Sequence, residues 1–480
     1  MLKLGFWENF KKLPFETKIF VAVLPLGIIL RLVALFARDI WFDEAFTYQI
    51  AKLPLKDLLR AILTDNNPPI YYLLIHFVLY LGKSIFLLRT PSLILNLLSV
   101  YVLYKMVKTN FNKKIAILAS SLYLLSPLEV YMSSEARLHS LAMFFAMLII
   151  YFFMTVAKKP KPYWIFFFTL FFILGLYTQY YIGLLMLPFS ILVIFKRTNI
   201  FLKKWLLIIS LVVLAVIPWL ILSSQTLHNG CACSNTLLAL PATLVSPIIA
   251  GIGDVSLRSF PQLPPLLFIF FTFISITAIL FFLKGLIKCG KFSLIYLTPL
   301  IFLSLTGFSL PVFSPKAAAI VSPLFFLFVS HGILKSKFKK VLAFGLVASL
   351  FSVSFIQITD PFFQGQKFAP LVNTLRSDDQ APILHTSTYT YYSLNYYLEK
   401  RKQVLITSNA LSPDTVKFIG GEKTNFLYKN NTVWLVNTKK WVDPIEYEKE
   451  ITKIYKVYDI TKKYNVNSVS IEYLQRKNLH

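Results

Sequence analysis

Residues 19–45 read IFVAVLPLGIILRLVALFARDIWFDEA. The part up to Ala37 is apolar except for Arg31, and it is long enough to cross a bilayer core, which takes about 20 residues. Arg38 and Asp39 close the run. Trp41 and Phe42 then suit an interfacial aromatic belt, and Asp43 and Glu44 follow as two adjacent carboxylates at the membrane edge. Acids in that position are costly unless they are solvated or used. Two readings are open at this point: a solvated loop start, or a site.

The rest of the chain repeats the first half of this pattern. Of 480 residues, 56% are hydrophobic and only 15% charged, well below the quarter typical of soluble domains, which excludes a soluble enzyme and a disordered chain. Apolar segments recur at 69–88, 90–107, 115–132, 140–156, 163–181, 182–195, 205–222, 264–283, 292–309, 317–334 and 341–358. The net charge of +27 would suggest a nucleic-acid partner in a soluble protein. Here it is better explained by short basic clusters between the apolar segments, such as Lys105 to Lys114 and Lys335 to Lys340, which should face the cytoplasm. No nucleic acid is therefore expected. If 69–88 crossed the membrane, the cluster at Lys105 to Lys114 would fall outside. An interfacial or re-entrant helix there repairs the register and leaves about eleven spans with a cytoplasmic N-terminus. The first apolar segment lacks a small-residue cleavage site and reads as an anchor, not a signal peptide.

Residues 1–359 contain ten acids, and this topology places eight of them on the outer side. Residues 360–480 differ, with 17 basic and 12 acidic residues mixed among helical stretches and short β-like runs at 383–386, 404–407, 432–436, 454–460 and 469–473. The expected architecture is mainly α: a polytopic membrane helical bundle over 1–359, with interfacial helices in the first outer loop, followed by an extracytoplasmic α/β domain over 360–480.

Other polar positions stand near the outer ends of the spans. Asn67, before Pro68 and Pro69, suits a helix cap ahead of Tyr71, Tyr72 and His76. In a continuous helix, Tyr131, Glu135 and His139 would stack on one face, with Arg137 roughly opposite. Arg31 and Lys316 could each snorkel to the interface or clamp an anionic lipid phosphate. Cys231, Cys233 and Cys289 suggest neither a bridge nor a complete metal site.

Taken in order, Trp41-Phe42-Asp43-Glu44-Ala45, Asn67-Pro68-Pro69-Ile70-Tyr71-Tyr72, Arg89-Thr90-Pro91-Ser92 and Ser134-Glu135-Ala136-Arg137-Leu138-His139-Ser140 resemble the GT-C glycosyltransferases. The pattern is closest to the protein O-mannosyltransferase and aminoarabinose transferase branch, the bacterial family 39 type. The resemblance covers the first 185 residues best. It implies inverting transfer of a sugar from a polyprenyl-phosphate donor to an acceptor hydroxyl, on lipid, glycan or protein, at the outer face of the cell membrane. Asp43 matches the family's catalytic base and Glu44 its neighbour, while Glu135 and Arg137 match a second polar motif beside the cavity. The chain departs from the pattern at Asn67, where relatives often carry His, and at Lys316-Ala317, where they often carry Arg-Tyr.

The chemistry agrees with that implication. An acceptor hydroxyl is too weak an acid to ionise first, so a carboxylate must take its proton as the bond forms. The departing lipid phosphate calls for cations, and Arg89, Arg137 and Lys316 are available. Asn67, Tyr71, Glu135 and His139 are the further candidates for sugar and lipid-phosphate binding. A divalent cation, Mg or Mn, could share the work, although no ligand spacing demands one. The competing readings are a lipid-linked glycan flippase or transporter, and a glycan ligase or polymerase. Intramembrane charges on broken helices and repeated halves would mark a transporter, and the sequence has no repeat.

Overall fold

The structure is a computed structural model, which describes residues 10–477 apart from 64, 66, 197–198, 225–245, 249–263, 308–318, 366, 377–380, 408–418, 420–429, 441 and 467. It is mainly helical. In chain order the principal helices are α1 (Phe15–Ala37), α2 (Phe42–Ala51), α3 (Leu55–Leu63), α4 (Ile70–Val78), α5 (Ile85–Asn110), α6 (Lys113–Leu125), α7 (Pro127–Ser133), α8 (His139–Lys158), α9 (Pro162–Leu176), α10 (Met186–Lys196), α11 (Asn199–Ser224), α12 (Pro265–Leu286), α13 (Lys291–Gly307), α14 (Ser322–Leu334) and α15 (Lys339–Thr359). Beyond them come α16 (Ala369–Arg376), β1 (Ile383–His385), α17 (Thr388–Tyr397), β2 (Gln403–Leu405), β3 (Thr432–Asn437), α18 (Pro444–Val457), β4 (Tyr458–Val466) and β5 (Val469–Arg476).

Among the described residues, six helices are long and apolar enough to cross a membrane: α1, α5, α8, α11 over Leu202–Ser224, α12 and α15. The bent pair α6 and α7 would make a seventh, and four shorter apolar helices accompany them. Six or seven full-length spans is thus the count by length and composition, below the eleven expected. The shortfall lies in α6, α9, α10, α13 and α14, which occupy the remaining five expected segments but run for only 13, 15, 11, 17 and 13 residues. Residues 69–88, set aside from the eleven as an interfacial or re-entrant helix, hold the nine-residue α4, roughly 14 Å long and too short to cross, followed by the start of α5 at Ile85.

The chain divides into two compact units, 1–37 with 89–221 and 231–364, and 38–88 with 222–230 and 365–480. In the first unit, burial separates central from peripheral helices. The most apolar window of α8 is 72% buried, whereas that of α11 is 22% buried and shows Leu207, Leu214 and Ile221 outward, as lipid-facing surface should.

Small residues set the closest helix approach. A Cβ placed on Gly285 of α12 would lie 1.8 Å from the Phe328 carbonyl oxygen, and one on Gly332 of α14 would lie 2.1 Å from the Phe281 carbonyl oxygen. Each glycine therefore faces the backbone of the other helix, the small-residue packing common between membrane helices. Gly285→Ala must push α12 and α14 apart and should cost about 1–3 kcal/mol, an overpacking penalty. A lower melting temperature in detergent would register it, and an unchanged one would show that the helices are not this close.

A sharp bend between α6 and α7 follows directly from the sequence. Pro127 has no N–H to continue the helix, and it drives Ser126 into an extended conformation, φ −62° and ψ 127°. Ser126 ends α6 and caps α7, and the two helices diverge by 62°. The interruption leaves Leu125 with a carbonyl that accepts instead from Ser354 Oγ of α15, at 2.8 Å.

In the second unit, a five-stranded sheet has the order β2-β1-β3-β5-β4. The first three strands are parallel and the last two pair antiparallel. Alternation along β3 sends Trp434 and Val436 to one apolar core and Val433 and Leu435 to the other, so the strand is buried on both faces. The first core includes α16 and α17 residues, and Phe42 from the early chain packs against it. His385, at the end of β1, is wholly buried between Thr390 Oγ1 at 3.2 Å and Gln403 Oε1 at 3.0 Å. Burial pushes its pKa down to about 3, so it serves as a neutral bridge.

Candidate active site

Asp43 and Glu44 lie in the first turn of α2. Trp41 has the extended backbone of a helix cap but no hydroxyl or carboxylate to offer. Its own N–H points back to Glu44 Oε2 at 3.5 Å, the returning half of a capping box. Glu44 is buried and committed to that turn. Asp43 is only partly buried, and its carboxylate sits where the helix dipole favours negative charge. The two acids therefore have different environments, a distinction their adjacency in the sequence conceals.

Asp65 organises the next motif. Its Oδ2 accepts from Asn67 Nδ2 at 3.0 Å and from Tyr72 OH at 2.5 Å. Asn67 is thus not the cap of α4, as its place before the double proline suggested. Pro69 occupies that position with helical dihedrals and no side-chain bond to the helix. A neighbouring acid two residues away holds the amide instead. Tyr71 is buried in α4, and His76 Nδ1 lies 2.7 Å from the Ala51 carbonyl oxygen at the end of α2.

In the first unit, Arg89 is fully buried in the second turn of α5 and donates from Nη1 to the Leu35 carbonyl. Three residues on, Ser92 Oγ donates to the Arg137 carbonyl at 3.4 Å, which brings the third and fourth sequence motifs together. The fourth motif is not a continuous helix. After α7 ends at Ser133 the chain makes an irregular turn, in which Arg137 N–H donates to the Glu135 carbonyl at 2.8 Å, and α8 begins at His139. The anticipated stack of Tyr131, Glu135 and His139 on one helix face is therefore not formed. Glu135 is fully buried, His139 nearly so, and Arg137 partly exposed. Lys316 falls outside the described residues. So do Cys231 and Cys233.

A polar cluster that sequence reasoning did not assemble lies next to this turn. Arg31 of α1 neither snorkels nor faces lipid. It is completely buried and donates from Nε to Asn96 Oδ1 at 3.0 Å, and from Nη1 to the carbonyls of Gly27 and Leu124. The Asn96 amide passes the contact on, donating to Glu129 Oε2 at 2.9 Å and to Tyr123 OH at 3.1 Å. Glu129 Oε1 in turn accepts from Ser322 Oγ at 2.8 Å. Arg31, Asn96, Glu129 and Ser322 thereby link α1, α5, α7 and α14. The only sequence signal was an amide and two ionisable groups inside apolar segments. Among the described residues, no group of three or more His, Cys, Asp or Glu is placed to hold a metal ion.

Comparison with known proteins gives this arrangement a context. The profile of the Dolichyl-phosphate-mannose-protein mannosyltransferase family matches residues 66–222. Among solved structures, ArnT from Cupriavidus metallidurans in the apo state superposes with a TM-score of 0.63, at 10% identity over 95% of this chain and 98% of that one. The same enzyme bound to undecaprenyl phosphate gives 0.62, at 11% identity over 94% and 97%. This is a GT-C fold. The archaeal oligosaccharyltransferase AglB from Archaeoglobus fulgidus, in complex with an inhibitory peptide and a dolichol-phosphate, shares it more distantly, with a TM-score of 0.50 at 9% identity over 95% of this chain and 74% of that one. No curated protein sequence matches the chain. The family match and the GT-C fold uphold the resemblance read from the four sequence motifs. That match covers Asn67, Tyr71, Arg89, Glu135, Arg137 and His139 but starts after Asp43 and Glu44.

Proposed function

We propose that the chain is an integral-membrane glycosyltransferase that moves one sugar from a polyprenyl-phosphate carrier to an acceptor hydroxyl at the outer face of the membrane, with inversion at the anomeric carbon. The observation that carries this reading is the GT-C fold, which matches ArnT over nearly the full length of both chains, together with the family match at residues 66–222. ArnT has been solved with undecaprenyl phosphate and AglB with a dolichol-phosphate. By that analogy the donor here is a lipid-linked phosphosugar.

In this mechanism Asp43 takes the proton of the acceptor hydroxyl as the hydroxyl oxygen attacks the anomeric carbon and the bond to the lipid phosphate breaks. Its partial exposure at the start of α2 suits a base that must meet an incoming acceptor, and the buried Glu44 secures the turn from which it projects. Arg89 and Arg137, with Lys316, are the cations assigned to the departing phosphate. Asn67, Tyr71, Glu135 and His139 are assigned to sugar and lipid-phosphate binding. The proposed topology has eleven crossings with the N-terminus in the cytoplasm and residues 360–480 outside. It draws support from a helix in each of the eleven apolar segments and from the shortness of α4. Cysteine labelling from the two sides should find position 108 inside and position 56, in the first outer loop, outside, since both are exposed.

The test of function is to incubate the purified protein with undecaprenyl-phosphate-linked sugars and membrane extract, and to follow donor consumption and glycoside formation. Transfer of a single sugar with inverted configuration is expected. Translocation of the lipid-linked sugar without glycoside would overturn the reading in favour of a flippase. Transfer of whole glycans alone would point to a ligase.

A further inference from the structure

The chain that carries Asp43 is fastened to the C-terminal sheet domain at points on both sides of that residue. Before it, Asp39 Oδ2 accepts from the N–H groups of Phe368 at 2.6 Å and Ala369 at 3.0 Å, where α16 begins. The Ile40 N–H donates to Tyr397 OH at 2.9 Å. Along α2, the rings of Phe42 and Phe46 both meet Tyr392 edge-on at 5.7 Å, and Tyr48 meets Tyr396 at 5.0 Å. At its far end a single carboxylate collects three partners. Glu399 Oε1 accepts from Tyr48 OH and from Lys52 Nζ, each at 3.2 Å, while Oε2 lies 2.9 Å from Lys83 Nζ. Tyr396 OH adds a bond to the Lys83 carbonyl at 2.6 Å. The tyrosine-rich sequence of α17 thus has a use that the sheet alone does not require.

We propose that the C-terminal domain positions the candidate base, and that Glu399 is the positioning residue that fixes the rotation of α2 through Tyr48 and Lys52, with Lys83 as its third partner. The catalytic part of this inference rests on the role assigned to Asp43 above. Exposed ion pairs such as these contribute little to global stability, so loss of Glu399 should leave the fold intact. It should instead disturb placement, and a misplacement of about 1 Å at a reacting group can cost about a hundredfold in rate. The carboxyl also holds its charge. Burial alone would push its pKa up, but the hydrogen bonds and charges of Lys83 and Lys52 outweigh burial and bring it below the usual value.

Two measurements on the full-length protein test this. Amide hydrogen exchange over residues 42–51 should speed up in Glu399→Ala with the melting temperature nearly unchanged. The transfer kcat of that variant should fall about 10- to 100-fold, with the donor KM within about twofold. Glu399→Gln, whose amide oxygen can still accept from Tyr48 and Lys52, should lose less on both measures than Glu399→Ala. Unchanged exchange together with unchanged kcat overturns the proposal. A raised KM at constant kcat also overturns it, because it would make Glu399 a binding residue. If the wild type transfers no sugar, the proposed function fails, and the exchange comparison alone then decides whether Glu399 holds α2.

Discussion

Asp43→Asn is expected to lower the sugar-transfer kcat by about two to four orders of magnitude, the range over which a positioned general base acts. The substitution keeps the size and hydrogen-bonding reach of the side chain and removes only its ability to take a proton. Donor binding should accordingly survive, with KM changed by less than about threefold. Glu44→Gln makes the contrast. Its amide oxygen can still accept from the Trp41 N–H, so the turn should persist and the kcat should fall by less than about tenfold. Steady-state kinetics of the two variants side by side separate the roles. Equal rates for wild type and Asp43→Asn would remove Asp43 as the base, and a severe loss in Glu44→Gln with none in Asp43→Asn would exchange the assignments.

The same pair of residues shows how far the sequence could be read. Two carboxylates after an apolar run mark a place where charge meets membrane, and that much follows from composition. Which of them is accessible depends on the cap geometry at Trp41, which no spacing reveals. The helices were legible because apolar runs are local, yet their ends were not. The run 115–132 looks unbroken by hydropathy, although Pro127 divides it into α6 and α7. In the C-terminal domain the buried strands β1, β3 and β5 announced themselves through apolar clusters. Of the expected β-like run 454–460 only Tyr458 to Ile460 is strand: residues 454–457 end α18, and most of β4, including Lys462 and Lys463, is exposed at the sheet edge. Edge strands commonly carry such charges and so lose the apolar signal. Contacts distant in sequence were the least visible. The partners of Arg31 lie 65 and 93 residues away, and nothing local indicates that the guanidinium turns inward.

That inward turn leads to the largest expected effect on stability. Asn96 hydrogen-bonds both Arg31 and Glu129, presenting its carbonyl oxygen to one and its amide nitrogen to the other. Asn96→Leu is close in volume but withdraws both contacts. Arg31 already has one nitrogen, Nη2, without a hydrogen bond among the described residues, so it has little reserve. A buried charged group left short of partners costs about 3–5 kcal/mol, a large fraction of the 5–15 kcal/mol that stabilises a typical protein. Asn96→Leu should therefore lower the melting temperature in detergent sharply and reduce the yield of folded protein. The triple replacement of Arg31, Asn96 and Glu129 by Leu removes the groups that would be stranded. It should be more stable than Asn96→Leu alone, since apolar side chains can substitute for a buried polar set at little net cost. Such non-additivity is the mark of a coupled network. A triple variant less stable than the single would mean that the cluster holds α1, α5, α7 and α14 through directional bonds that packing cannot replace. In that case the turn at Glu135 and Arg137, which begins where α7 ends, should lose its geometry with it.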